Sequence, residues 1–129
     1  MTAKSAALLF GVIFIIVGIL GFVDNPIVGA SQDAIFHADS MHNYIHIGSG
    51  VLFLLFALAA PASLTGFMIL FGIVYLLLGI IGIVNFGTDG FGKLFGILNV
   101  NGADNLLHIG LGVLILAFAL ASRRRVVRV

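Results

Sequence analysis

The chain has 129 residues and a formal net charge of +1; 61% of its residues are hydrophobic and 9% are charged. A soluble domain of this length needs far more polar surface, and so weak a charge leaves no electrostatic footprint for nucleic acid. The lack of any cysteine excludes disulfides, thiolate metal sites and cysteine nucleophiles.

A hydrocarbon core of ~30 Å takes ~20 helical residues at 1.5 Å each. Four segments meet that length: Ala6 to Val23, Asn43 to Ala60, Leu64 to Val84 and Asn105 to Ala121. They are dense in Leu, Ile, Val and Phe without alternation, which argues against barrel strands. Lys4 ahead of the first segment and "VGA" at Val28 to Ala30 imitate a signal peptide. The apolar stretch is long for a signal, however, and its near copy at residues 70 to 84 cannot be one. It is read as a span.

The connection "DNPIVGASQDAIFHADSM" predicts a proline turn and then a short helix. Asp39 or Ser40 is placed to N-cap the second span. The short link "PASLT" makes spans two and three antiparallel neighbours. In the second long connection, Phe86, Phe91, Leu94, Phe95 and Ile97 are too apolar for a solvated loop. They are expected to lie on the membrane interface or to cap the bundle. Asn101 or Asp104 is placed to N-cap the fourth span.

Charge sets the orientation. Lys4 precedes span one, and Arg123, Arg124, Arg125 and Arg128 follow span four. The long connections carry Asp24, Asp33, Asp39, Asp89 and Asp104, with Lys93 as their only base. The positive-inside rule then puts both termini in the cytoplasm. His37, His42, His46 and His108 all fall on the outer side.

The chain also reads as a duplication. Leu9 to Val23 aligns with Leu70 to Val84 at an offset of 61, with seven of 15 positions identical. His42 to Ala59 aligns with Asp104 to Ala121 at an offset of 62, with 12 of 18 identical. One domain, 1–129, thus comprises repeat 1 (about 4–60), repeat 2 (about 64–121) and a basic tail (122–129). Two spans per repeat enter the membrane in the same sense, so the expected pseudo-two-fold axis runs along the membrane normal. The fold class is an all-α, four-helix integral membrane bundle.

At 100° per residue, Ala7, Gly11, Phe14, Gly18 and Gly21 share a face of span one, and Met68, Gly72, Tyr75, Gly79 and Gly82 share one of span three. Small residues on one face let helices approach closely in lipid, so Gly11, Gly18, Gly72 and Gly79 are the expected packing positions. Asn43, His46, Gly50 and Ala57 share a face of span two, and Asn105, His108, Gly112 and Ala119 share the matching face of span four.

The paired "HNYIHIGSG" and "NGADNLLHIGLG" motifs, each after an "LFG…GILG"-like span, resemble the domain-of-unknown-function family 4383. The resemblance covers nearly the whole chain and is most specific at "VNGADNLLH", residues 100 to 108. It implies a small four-helix protein of the bacterial inner membrane. It brings no activity, cofactor or catalytic residue.

Two uses of the polar pairs are open. In the first, Asn43, His46, Asn105 and His108 lock the bundle as a non-catalytic membrane component. His46 lies on the order of 6 Å inside the span at 1.5 Å per residue. There an unpaired polar group is costly, so the rings are expected to face inward and find hydrogen-bond partners in the outer connections or the neighbouring repeat. In the second, His42 and His46, four apart on one face, bind a metal ion with His108 and Asp104. Without thiolate, such a set suits Zn, Cu(II), Ni or Fe. A haem variant uses His46 and His108 as axial ligands, with Gly50 and Gly112 leaving room for the ring. No nucleophile constellation is recognisable around Ser31, Ser40 or Ser49, and no span carries the proline break or mid-depth acid of a transport path. The leading expectation is therefore no cofactor and no catalysis. The lipid bilayer is the one partner the sequence implies; a second copy or another membrane protein is compatible with it.

Overall fold

A computed structural model describes residues 1–31 and 33–127. It contains four long helices: α1 (Ala3–Leu20), α2 (Ser40–Ala59), α3 (Leu64–Phe86) and α4 (Gly102–Val127). All four are long and apolar enough to cross a membrane. Two short strands, β1 (Val28–Gly29) and β2 (Phe36–His37), lie between α1 and α2. The hairpin β3 (Phe91–Leu94) and β4 (Leu98–Asn101) lies between α3 and α4. The strands gather at one end of the bundle, the loop end. The start of α1, the end of α4 and a 3-10 turn at Pro61–Ser63 lie at the other, the terminal end.

α1 packs mainly on α2, and α3 mainly on α4. Glycine is the reason. A Cβ on Gly50 would lie 2.5 Å from the carbonyl oxygen of Gly11, and one on Gly11 would lie 3.0 Å from that of Gly50. Gly112 and Gly72 oppose each other likewise, at 2.8 and 3.1 Å. Gly18 sits against the Asn43 carbonyl and Gly79 against that of Asn105. Backbones therefore meet inside each helix pair, where dispersion rather than the hydrophobic effect must hold helices together in lipid.

Between the pairs the contact is aromatic. Phe56 stacks on Phe67 with centroids 4.2 Å apart, and Phe53 meets Phe71 at 5.1 Å. Phe14 meets Tyr75 at 5.2 Å, and Phe10 meets Phe118 at 6.1 Å. The expected α2–α3 neighbour contact is thus made by bulky side chains, which hold those two backbones apart. Ala6, Ala7, Ala57, Met68, Ile115 and Ala119 fill the centre and are fully buried. The outer faces are apolar and bare, as in Leu70 at 63% and Val84 at 79% exposed.

Three local expectations are corrected. α1 ends at Leu20 rather than Val23, because the Asn25 side-chain amide donates to the carbonyls of Leu20 (2.7 Å), Val23 (2.6 Å) and Val28 (3.0 Å) and folds the chain back. The first connection forms no helix among its described residues; β1 and β2 pair in parallel instead. The second connection is an antiparallel hairpin, Phe91 opposite Asn101 and Leu94 opposite Leu98. Three residues, Phe95, Gly96 and Ile97, join its strands, and Phe95 and Gly96 have φ of 54° and 71°, both in the left-handed region. The apolar residues of this hairpin divide. Leu94 is buried against Leu78, Ile81 and Phe86, while Phe91, Phe95 and Ile97 are exposed.

Candidate metal centre

Helix caps place the histidines. The Asp39 carboxylate accepts the backbone N–H of His42 at 3.0 Å and starts α2 there. This puts His42 in the first turn and His46 one turn deeper on the same face. On α4, Asn101 Oδ1 accepts from Asp104 N at 2.9 Å, and Asp104 Oδ2 accepts from Asn101 N at 2.8 Å. This reciprocal box fixes the start of α4 and carries His108 inward one turn later.

The rings of His42, His46 and His108 converge beneath the loop end. Centroids lie 4.5 Å apart for His42 and His46, 5.6 Å for His42 and His108, and 6.2 Å for His46 and His108. One ring nitrogen from each can be chosen so that all three lie within 4.8 Å of one another. All three residues are buried, between 2% and 6% exposed. In an ion with bonds of about 2.0–2.1 Å, such nitrogens stand roughly 3.3–3.6 Å apart, so modest side-chain rotation closes the set.

The polar bookkeeping is uneven. His42 Nδ1 lies 2.7 Å from the Asn99 carbonyl oxygen on β4. A carbonyl only accepts, so Nδ1 carries the proton and the neutral ring keeps its lone pair on Nε2. Both nitrogens of His46 and Nδ1 of His108 have no hydrogen-bond partner among the described residues. The hydrogen bonds expected of His46 are therefore not made among the described residues, nor is one at His108 Nδ1. Loop carbonyls reach the level of His42, but at His46 the surroundings are helix backbones, already bonded within their helices, and aromatic rings. Phe14 lies 5.9 Å from His46, and Tyr75 5.5 Å from His108.

The remaining candidates lie elsewhere. Asp104 stands outside the three-imidazole group; its Oδ2 also accepts the backbone N–H of His37 at 3.0 Å, so it ties the two long connections together. Asn43 and Asn105 face α1 and α3, where a Cβ on Gly21 or Gly82 would collide with their amides. Asn43 Oδ1 and both amide atoms of Asn105 lack partners among the described residues. His37 packs on Phe91 at 5.6 Å with Nδ1 3.3 Å from the Ser31 carbonyl. Gly50 and Gly112, the expected room for a haem, are filled by the backbones of α1 and α3, so a macrocycle has no space there. Sequence reasoning missed the Asn99 carbonyl, which has no side-chain signature, and the buried Ser49–Tyr75 hydroxyl pair at 3.1 Å. The signal for that pair was present, as two hydroxyls at inward helical positions.

A family model described as a domain of unknown function, DUF4383, matches residues 4–121. No curated protein and no solved structure matches the chain.

Proposed function

Because the chain belongs to the DUF4383 family, whose function is unknown, we propose a role from its own site: a non-catalytic membrane protein that binds one transition-metal ion through His42, His46 and His108. The observation that carries this reading is the convergence of three buried imidazoles, two of them with nitrogens that nothing else satisfies among the described residues. Buried polar atoms are normally paired, and several unpaired ones facing each other call for a ligand. The His42–Asn99 bond supports it further, since a metal-ligating imidazole usually donates its other N–H to a carbonyl or carboxylate.

The setting of the site belongs to the same proposal. The protein resides in the bacterial cytoplasmic membrane with both termini inside. Lys4 and Arg123 to Arg125 cluster at the terminal end, whereas the loop end has four aspartates outside the helices and Lys93 alone; Arg128 lies outside the described residues. The two helix pairs are a tandem repeat about an axis along the membrane normal. The support is the recurrence of contacts at matched positions: Gly11–Gly50 with Gly72–Gly112, and Gly21–Asn43 with Gly82–Asn105.

A second reading keeps the asparagines as structural locks, with or without a metal. It draws on the fit of each amide into the space left by a glycine on the partner helix. Metal analysis and an absorption spectrum of the purified protein test the main reading. Near-stoichiometric metal, lost on replacing His46 and His108, supports it. A protein that neither copurifies with metal nor takes it up leaves only the lock.

A further inference from the structure

Resting on that metal-binding reading, we infer that the ion is monovalent copper. The ligand set is three neutral imidazoles, with no carboxylate among them. The nearest carboxylates are already engaged. Asp104 accepts two backbone amides, and Asp39 caps α2 and pairs with Lys93 at 3.8 Å. The ion's charge is therefore not neutralised by its ligands.

That charge must sit among buried groups, walled by Phe14 and Tyr75. The cost of burying an ion grows with the square of its charge, so a divalent ion loses four times as much solvation as a monovalent ion of the same size. Cu(I) is the monovalent transition ion that takes nitrogen ligands. It is content with three, whereas Zn(II) completes four positions with a protein ligand or a water. No fourth protein ligand is offered among the described residues, as the Tyr75 hydroxyl is engaged by Ser49 at 3.1 Å.

The test uses the full chain in detergent under anaerobic conditions. Cu(I) is titrated against a chromophoric Cu(I) chelator, and Zn(II) and Ni(II) are titrated in parallel. One Cu(I) per chain, not displaced by a tenfold excess of Zn(II), is the expected result. His46→Phe should weaken Cu(I) binding by more than about 100-fold, beyond the 10–100-fold typical of second-shell losses. His46→Met adds a soft thioether at the same position and should retain Cu(I) while failing to bind Zn(II). It reports even if the phenylalanine variant does not fold. Stoichiometric Zn(II) or Ni(II) that displaces Cu(I) would overturn the copper assignment and leave the metal reading standing. Failure of all three ions to bind the parent would remove both.

Discussion

Asp104 accepts the backbone amide of His37 at 3.0 Å, across 67 residues of chain. The bond has a counterpart. His42, 62 positions before Asp104, gives its ring N–H to the carbonyl of Asn99, 62 positions after His37. Each helix start thus holds the opposite connection. The side chain is an acceptor where the loop presents an amide and a donor where it presents a carbonyl. This accounts for a carboxylate at position 104 where the aligned position 42 carries an imidazole.

Asp104→Ala leaves the amides of His37 and Asn101 unpaired at a site where Asp104 is 2% exposed. An unsatisfied buried donor costs about 1–3 kcal/mol. Thermal unfolding in detergent should show a loss of about 2–4 kcal/mol in all. Asp104→Asn keeps one acceptor oxygen and should lose roughly half of that or less. Equal stability of the alanine variant and the parent would show that the carboxylate does not join the loops.

Close backbone approach makes Gly50 intolerant. Its added Cβ would lie 2.5 Å from the Gly11 carbonyl, a backbone atom that cannot swing aside. Gly50→Ala should cost roughly 1–3 kcal/mol by overpacking. Gly48, two residues earlier, faces open space within 4 Å. Gly48→Ala should therefore cause no loss, and the pair of melting curves separates packing from helix propensity.

Tyr75→Phe removes one partner of the buried Ser49–Tyr75 bond and little volume. Hydrogen bonds between membrane helices average about 0.6 kcal/mol and reach about 1.7. A destabilisation in that range is expected, with metal stoichiometry unchanged, because Tyr75 is wall rather than ligand. Loss of metal in this variant would show that the hydroxyl belongs to the site.

Reporter fusions read the orientation. A C-terminal fusion should report cytoplasm, and one within residues 28 to 36 should report the outer side. A periplasmic C-terminus would place the histidines at the cytoplasmic face instead.

The inward faces were legible in the sequence because helical periodicity gathers small residues visibly. Gly72, Tyr75, Gly79 and Gly82 of α3 are all buried. The ends were less so. Asn25 halts α1 through contacts to both sides of the turn, which no helical pattern announces. The β3–β4 hairpin was hidden because its three-residue turn, Phe95–Gly96–Ile97, carries two large apolar residues, with a phenylalanine at positive φ. At the site, the four-residue spacing put His42 and His46 on one face, but only tertiary packing brings His108 to them. Asp104 was equally readable as ligand or cap, since the same carboxylate chemistry serves both. Asn99 enters through a carbonyl, which every residue has.

Metal-edge X-ray absorption of the loaded protein tests imidazole ligation most directly. A first shell of three nitrogens at about 2.0 Å with imidazole outer-shell scattering is the result predicted. It should revert toward two on His108→Phe, and affinity should fall on acidification as protons compete for the same lone pairs. A shell of oxygens without imidazole scattering, unchanged in the His108→Phe protein, would contradict the account.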